Sequence, residues 1–430
     1  MKPSAWRFSG AILALLLCSG NAHALDLVQS YDLAKQADPI FLGATEKYQA
    51  DKLVLRQADS ALLPTISGSA GITRYQTPSA DFDAQGYTLS ITQPILNFGV
   101  FAGIGQARAE VRRAEAEYSA AQQDLMLRVS QAYLGALAAQ DNVELAQAER
   151  SAISQQLEVA EGRLSAGLGT ITEVHDARAR FQLAEANALA AQDQLRDSLE
   201  ALGELTGQEN ESLKALKAEI PTVRPQPEIQ EQWVDTAEKQ NLSILASQAA
   251  YDASRKQVQI QRSGHLPSLS LFGRISDTES SPSMPTTDGR NDSVGIQLTV
   301  PIFQGGYVSA STAQAKHLRE AARQQLEASR RGTKRLTRSS YAGVISGIKR
   351  VAALKQAVVA GESALTAKQT GFEAGINTNL DVLNAQRDLY AAKRDYAQTR
   401  YTYILDLLRL KQAAGQLNEK DLQEVNGWLQ

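Results

Sequence analysis

The chain has 430 residues, a formal net charge of −3, 43% hydrophobic residues and a single cysteine. That length suffices for two or three ordinary domains, and a mildly acidic balance without a basic, aromatic-interleaved stripe excludes a nucleic-acid partner. After the first residues, no run reaches the ~18 apolar residues of a membrane-spanning helix.

Residues 1–24 read as a secretory signal peptide. Lys2 and Arg7 make a basic start, Ala11 to Leu17 an apolar core, and Ala22-His23-Ala24 an A-x-A cleavage site. Their removal takes away two bases and no acids, so the mature chain is more acidic. Cys18 lies inside this peptide; a lipoprotein reading would make it the acylated residue, but Leu17 stands where a small residue is expected. The mature chain then has no cysteine, which excludes disulfides and thiolate metal sites. An exported chain without a spanning helix is periplasmic, extracellular, or an outer-membrane β-barrel.

Leu25 to Leu62 has a helical pattern that Pro39 divides and Pro64 ends. The period then changes to two. A strand over 65–75 puts Ile66, Gly68, Ala70 and Ile72 on one face and Thr65, Ser67, Ser69 and Thr73 on the other. After a polar loop over 76–86, a strand over 87–95 sets Tyr87, Leu89 and Ile91 against Thr88, Ser90 and Thr92, making a hairpin. Pro94 and Gly99 mark the exit. A helix over 100–165 follows, 66 residues without proline and roughly 100 Å long. A second helix spans 171–206, and a linker with Pro221, Pro225 and Pro227 closes the first half.

The second half repeats this order. Gln232 to Arg262 reads as helix, and Leu266-Pro267 repeats Leu63-Pro64. Strands over 268–276 and 293–301 flank a Ser/Pro/Thr/Asp-rich loop, with Val294, Ile296, Leu298 and Val300 on one face. Gly305-Gly306 open a long helix over 307–373, and a last helix spans 379–414. The two structural repeats are 25–215 and 216–430. The linker and the short tail after Gln416 leave little material for a further large structure.

The clearest sign of duplication is AGINTNLDVLNAQRD at Ala374–Asp388, with its twin AGLGTITEVHDARAR at Ala166–Arg180, 208 residues earlier. In each, a glycine (Gly167, Gly375) suits the left-handed position that ends a helix. Thr170-x-x-Glu173 and Thr378-x-x-Asp381 are capping boxes that start the next helix. Apolar heptads follow both: Val174, Phe181, Ala188, Leu195, Leu202, and Val382, Leu389, Tyr396, Tyr403, Leu410. A seven-residue period implies supercoiled antiparallel helices. Each segment is the tip of a helical hairpin.

Ten-residue strands with apolar/polar alternation have the length and pattern of tilted outer-membrane strands. Four strands cannot close a barrel, and an open edge is not tolerated in lipid. Copies must therefore share one barrel, of eight strands for two copies or twelve for three; physics alone does not choose. The plainer alternative is a soluble coiled-coil protein with two hairpins.

Other chemistry is missing. His23, His175, His265 and His317 have no metal-ligand spacing, and His175, beside a tip, reads as a solvated helix-surface residue. The glycines form no phosphate loop, and no serine sits on a nucleophile elbow. No cofactor and no enzyme activity is expected. The acids Asp381 and Glu173 have a sufficient role as helix caps; convergence of copies on one axis would add a second. Tyr75, Tyr87, Phe98, Phe272 and Phe303 lie near strand ends, as interfacial girdle or as junction packing.

Over nearly all of its mature length the chain resembles the TolC-like outer-membrane ducts. The motifs that carry the resemblance are GINTNLDVLNAQRDLY at Gly375–Tyr390, GLGTITEVHDARARF at Gly167–Phe181, and the strand exits LSITQPILNFG at Leu89–Gly99 and LTVPIFQGG at Leu298–Gly306. The resemblance implies a mainly α fold with a transmembrane β-barrel. Trimerisation would complete twelve strands, continued across the periplasm by an α-barrel of coiled-coil helices. It implies a homotrimer in the outer membrane of a Gram-negative bacterium, in contact with lipid. The helical tips, here Gly167, Leu168, Thr170, Gly375, Ile376 and Thr378, would engage a periplasmic adaptor and an inner-membrane transporter. The cargo would be protein, in type I secretion, or drugs, in tripartite efflux. The first is favoured because the mature chain lacks a lipid-anchor cysteine. A structural coiled-coil envelope protein is the remaining alternative. Asp381 falls on the family's acidic periplasmic constriction, Asn384 on a second position that can be acidic, and Glu173 on an acid that can pair with a gate arginine. That arginine's position is Asn377 here, so a shut state would rest on Arg178, Arg180 or Arg387.

Overall fold

The computed structural model describes residues 24–76, 78, 81–209, 212–281 and 288–430. The expected signal peptide, with Cys18 and His23, lies outside them apart from Ala24. The described chain is mostly helical, with one four-stranded antiparallel sheet at one end.

Helices α1 (Leu27–Ala37) and α2 (Pro39–Ser60) part at Asp38. There the side chain accepts the Phe41 N–H at 2.9 Å and Pro39 takes the first helical position, where no N–H is needed. Strands β1 (Thr65–Gln76) and β2 (Asp81–Leu96) lead into α3 (Phe98–Ser165), 68 residues long, capped by the Asn97 side chain. Helix α4 (Ile171–Thr206) returns along it. The second half holds α5 (Gln230–Gln240), α6 (Leu242–Ser263), β3 (Ser268–Ser281), β4 (Gly289–Thr299), α7 (Tyr307–Glu373), α8 (Asn379–Ala413) and α9 (Glu419–Asn426).

Three features depart from the sequence expectations. The helix read as continuous over 232–262 breaks at Asn241, whose side chain accepts the Ser243 and Ile244 N–H groups, as Asp38 does in the first half. The hairpin loops are shorter than expected. Strands β2 and β4 start at Asp81 and Gly289, and β3 runs to Ser281, because ladder bonds are made by the backbone and admit polar side chains. Arg74 braces the extension with two bonds to Asp83 across the ladder, at 2.7 and 2.9 Å. Third, the tail builds structure. Helix α9 caps itself through Asn418 and Asp421 and buries Leu422 and Val425, and Trp428 and Leu429 just beyond it are buried too.

That tail belongs to a mid-body core. Leu25 bridges to Leu213 of the linker, and Leu216 to Leu429. The Leu27 N–H donates to Asn426 Oδ1 at 3.0 Å. Buried Tyr133 of α3 donates its hydroxyl to the Leu25 and Lys214 carbonyls. Tyr403, a heptad position of α8, holds Val223 through both the N–H and the carbonyl at 2.9 and 3.0 Å. Beside it, Tyr401 donates to the Asp141 carboxylate at 2.7 Å, where burial pushes the Asp141 carboxyl above the usual carboxylate range. The linker, α1 and α9 thus form a clasp around α3 and α8, larger than the sequence led us to expect.

Below the clasp, the α3–α4 and α7–α8 hairpins run side by side. Ile153, Ala160, Val174, Ala177 and Ala184 of the first bury Leu383 of the second. Small alanines at these positions let the backbones approach.

Candidate functional site

Each tip closes by the same backbone device. Gly167 and Gly375 sit at φ +72° and +74°, a left-handed conformation that costs other residues roughly 1–2 kcal/mol. A Schellman-type bond completes each turn: the Leu168 N–H donates to Arg163 O at 2.8 Å, the Ile376 N–H to Gly371 O at 2.7 Å. Thr170 and Thr378 then cap α4 and α8. The Thr170 hydroxyl accepts the Glu173 N–H at 3.3 Å and Glu173 Oε2 accepts the Thr170 N–H at 3.4 Å. In the second tip the Asp381 N–H reaches Thr378 Oγ1 at 3.2 Å, and Asp381 Oδ2 takes both the N–H and the hydroxyl of Thr378 at 2.9 and 2.7 Å. Those donors hold the Asp381 carboxyl below the usual carboxylate range, helped by Lys368 at 3.6 Å. Leu168 and Ile376 stand 71% and 81% exposed at the two apices.

The other site residues fall in different places. Asn384 accepts a bond from Arg180 Nη2 at 2.9 Å, so it ties the second hairpin to the first. Of the three arginines considered for a shut state, Arg180 makes this inter-hairpin contact. Arg178 pairs with Glu161 inside its own hairpin, and Arg387 with neighbouring Asp388. Asn377, in the turn, folds back on the end of α7. Its N–H donates to Gly371 O at 3.0 Å and its side-chain amide to Lys368 O at 3.5 Å. A Cβ at Gly371 would run into that amide nitrogen.

Three inter-hairpin contacts went unread in the sequence. Buried Gln156 donates to Asn379, Arg394 pairs with buried Glu149, and the Arg163 guanidinium lies 4.9 Å from the Phe372 ring centroid. The residues are 223, 245 and 209 positions apart, too far for any local pattern to connect. The buried Asn379 Nδ2 and Gln386 Oε1 have no hydrogen-bond partner among the described residues.

The sheet, in order β1-β2-β3-β4, has two sharply different faces. The register aligns Ile66, Ile91, Gly273 and Val294 in one row and Leu271 with Ile296 in another. Ile66, Val294 and Ile296 are 68%, 81% and 66% exposed. The opposite face aligns Thr65, Thr92, Phe272 and Gly295, then Ser67, Ser90, Arg274 and Ser293, then Ser69, Thr88, Ser276 and Asn291. The outer edges of β1 and β4 have no strand partner among the described residues. Among those residues no acid or histidine cluster could hold a metal, and no helix is long and apolar enough to cross a membrane.

The chain matches the family model described as "Outer membrane efflux protein" over residues 31–208 and 233–416, either side of the linker. It belongs to that outer membrane efflux protein family. It is 36% identical to the outer membrane protein TolC of Vibrio cholerae over 422 residues, 97% of this chain and 96% of that one. It is 32% identical to the alkaline protease secretion protein AprF of Pseudomonas aeruginosa over 436 residues, 98% of this chain and 90% of that one. Its fold matches the solved structure of CusC, described in terms of transmembrane channel formation, at a TM-score of 0.81, with 18% identity and 91% and 92% of the two chains covered. This chain is therefore a TolC-like outer-membrane protein with an elongated periplasmic helical body, in a family of channels.

Proposed function

We propose that three copies close one twelve-stranded barrel and act as the exit duct of a tripartite export system. The observation that carries this is the sheet. An apolar face exposed to the outside suits lipid, a hydroxyl-rich face suits a wet lumen, and two unpaired edges are costly in a membrane unless another copy pairs them. The duct is passive, with transport energy supplied by its partners. The exposed tips Gly167-Leu168 and Gly375-Ile376, with the caps Thr170 and Thr378, are the docking surface for a periplasmic adaptor and an inner-membrane transporter. Asp381 and Glu173 make an acidic entrance on the axis, with Asn384 behind it held by Arg180.

The cargo we favour is protein in type I secretion, supported by the similarity to AprF, a secretion protein by name. Multidrug efflux is the second reading, supported by the efflux description of the family. Single-channel recording in planar bilayers tests the duct: stepwise conductance is expected, and purified protein that never conducts would sink it. Deleting the gene and comparing secreted protein with drug susceptibility tests the cargo. Lost secretion is expected; intact secretion with new drug sensitivity reverses the choice.

A further inference from the structure

We propose that the barrel lumen carries a ring of arginines that binds multivalent anions, a second selectivity element opposite in sign to the tip acids. This rests on the trimeric barrel reading. The polar face of the four strands is lined by Ser, Thr, Gly, Asn and Gln with a few larger residues, and among the described strand residues Arg274 is its single charge. The opposite face is where the acids of the sheet lie: Asp81, Asp83, Asp277, Glu279 and Asp292 alternate away from Arg274 by strand parity.

Arg274 is exposed and makes no hydrogen bond or ion pair among the described residues. Its register partners are Ser90 on β2 and Ser293 on β4, neither of which can neutralise it. A neighbouring copy would bring β1 against β4, and the polar face of β1 offers Thr65, Ser67, Ser69 and Thr73, again without an acid. The guanidinium donors therefore stay open to whatever passes. Along the strand, Phe272 lies against Gly295, where a Cβ would meet its Cζ at 2.9 Å. The ring is thus flattened onto the wall one row from Arg274.

Closure by three copies sets three guanidiniums at one height in a lumen without other strand charges. Guanidinium offers planar paired donors that fit carboxylate and phosphate oxygens, and a confined mouth focuses the field of a charge ring. The preferred ligands are anions with several such groups, approaching from or leaving toward the side opposite the helical body. With acids at the tips and arginines in the barrel, the pore is bipolar and its current depends on the sign of the voltage.

The test is single-channel recording with inorganic tripolyphosphate added on the side opposite the helical body. Block is expected for the wild type. Field focusing concentrates counter-ions by roughly 10–1000-fold, so Arg274→Gln should raise the half-blocking concentration at least about tenfold. Arg274→Lys should retain most of the block. Ser90→Asp, which sets a carboxylate beside each arginine without removing it, should abolish block even if Arg274→Gln fails to assemble. Channels that conduct normally but are blocked equally in wild type, Arg274→Gln and Ser90→Asp overturn the ring and leave the duct standing. Wild-type protein that never conducts overturns the duct and the ring together.

Discussion

The two helical tips are copies of one design, and they solve one packing problem in opposite ways. At the first tip, Arg163 faces Gly169, where a Cβ would meet the Arg163 Cβ at 3.2 Å. At the second, the equivalent pair is Gly371 facing Asn377, where a Cβ would meet the Asn377 amide. In each facing pair one member is glycine, and a side chain there would have to displace its partner. The exchange lets Arg163 reach Phe372 of the other hairpin, and it folds Asn377 back onto Lys368. The charges differ as well. The Asp381 carboxylate has Lys368 and two donors from Thr378, whereas the Glu173 carboxylate has the Thr170 N–H alone among the contacts of the described residues. Duplication has kept the backbone and divided the side-chain work.

The strongest way to break this symmetry is at the positive-φ glycines. Gly375→Val or Gly167→Val puts a β-branched residue where it is a backbone outlier. Export should fall to background at either site while assembled trimers persist on gels; loss of trimers instead would make these glycines assembly residues. Next comes the facing pair. Gly371→Ala should destabilise the second tip, and adding Asn377→Gly should restore it, with a coupling of about 0.5–3 kcal/mol in a double-mutant cycle read by thermal melting. Additive effects would mean that the two residues do not share one space. Smaller still, Thr170→Ala and Thr378→Ala should each cost about 1 kcal/mol as lost caps. Faster amide exchange confined to the first turns of α4 and α8 would be the signature.

The acids sharpen the comparison most finely. Asp381→Asn should weaken periplasmic-side block by multivalent cations more than Glu173→Gln, since a constriction favours the cation that an acidic ring holds. The pH dependence follows from the depressed carboxyl of Asp381. Its charge, and the capping stability that charge supplies, are fully present above the ordinary value of 3.8 and are lost as pH falls through the lower folded value. Block should therefore persist at pH 4 and fade only below it. Equal block in Asp381→Asn and wild type would reduce this acid to a helix cap.

The tips were legible in the sequence because their physics is local. A glycine, a threonine and an acid three residues on lie within one turn of each other, and both copies close as capping boxes. The faces of the sheet were legible for the same reason, since alternation needs only neighbours. The clasp was not. Leu27 meets Asn426 across 399 residues, and nothing local in the tail announces that Leu429, just past α9, will pair with Leu216 of the linker. The break at Asn241 was readable in principle, because Asp38 holds the same place in the first repeat, but an asparagine inside an apolar-periodic run looks like a tolerated polar residue. Arg180 meeting Asn384, 204 positions on, needed coordinates.

The central claim is that the free edges of β1 and β4 pair between copies. Removal of residues 1–24 leaves a chain without cysteine, so engineered cysteines can be introduced in pairs, one on β1 between Thr65 and Thr73 and one on β4 between Asn291 and Thr299, and oxidised in outer-membrane vesicles. Closure predicts one antiparallel register in which matched pairs link into a covalent ladder ending at three chains, while pairs one residue out of register do not. Single chains at every register after oxidation would contradict the barrel.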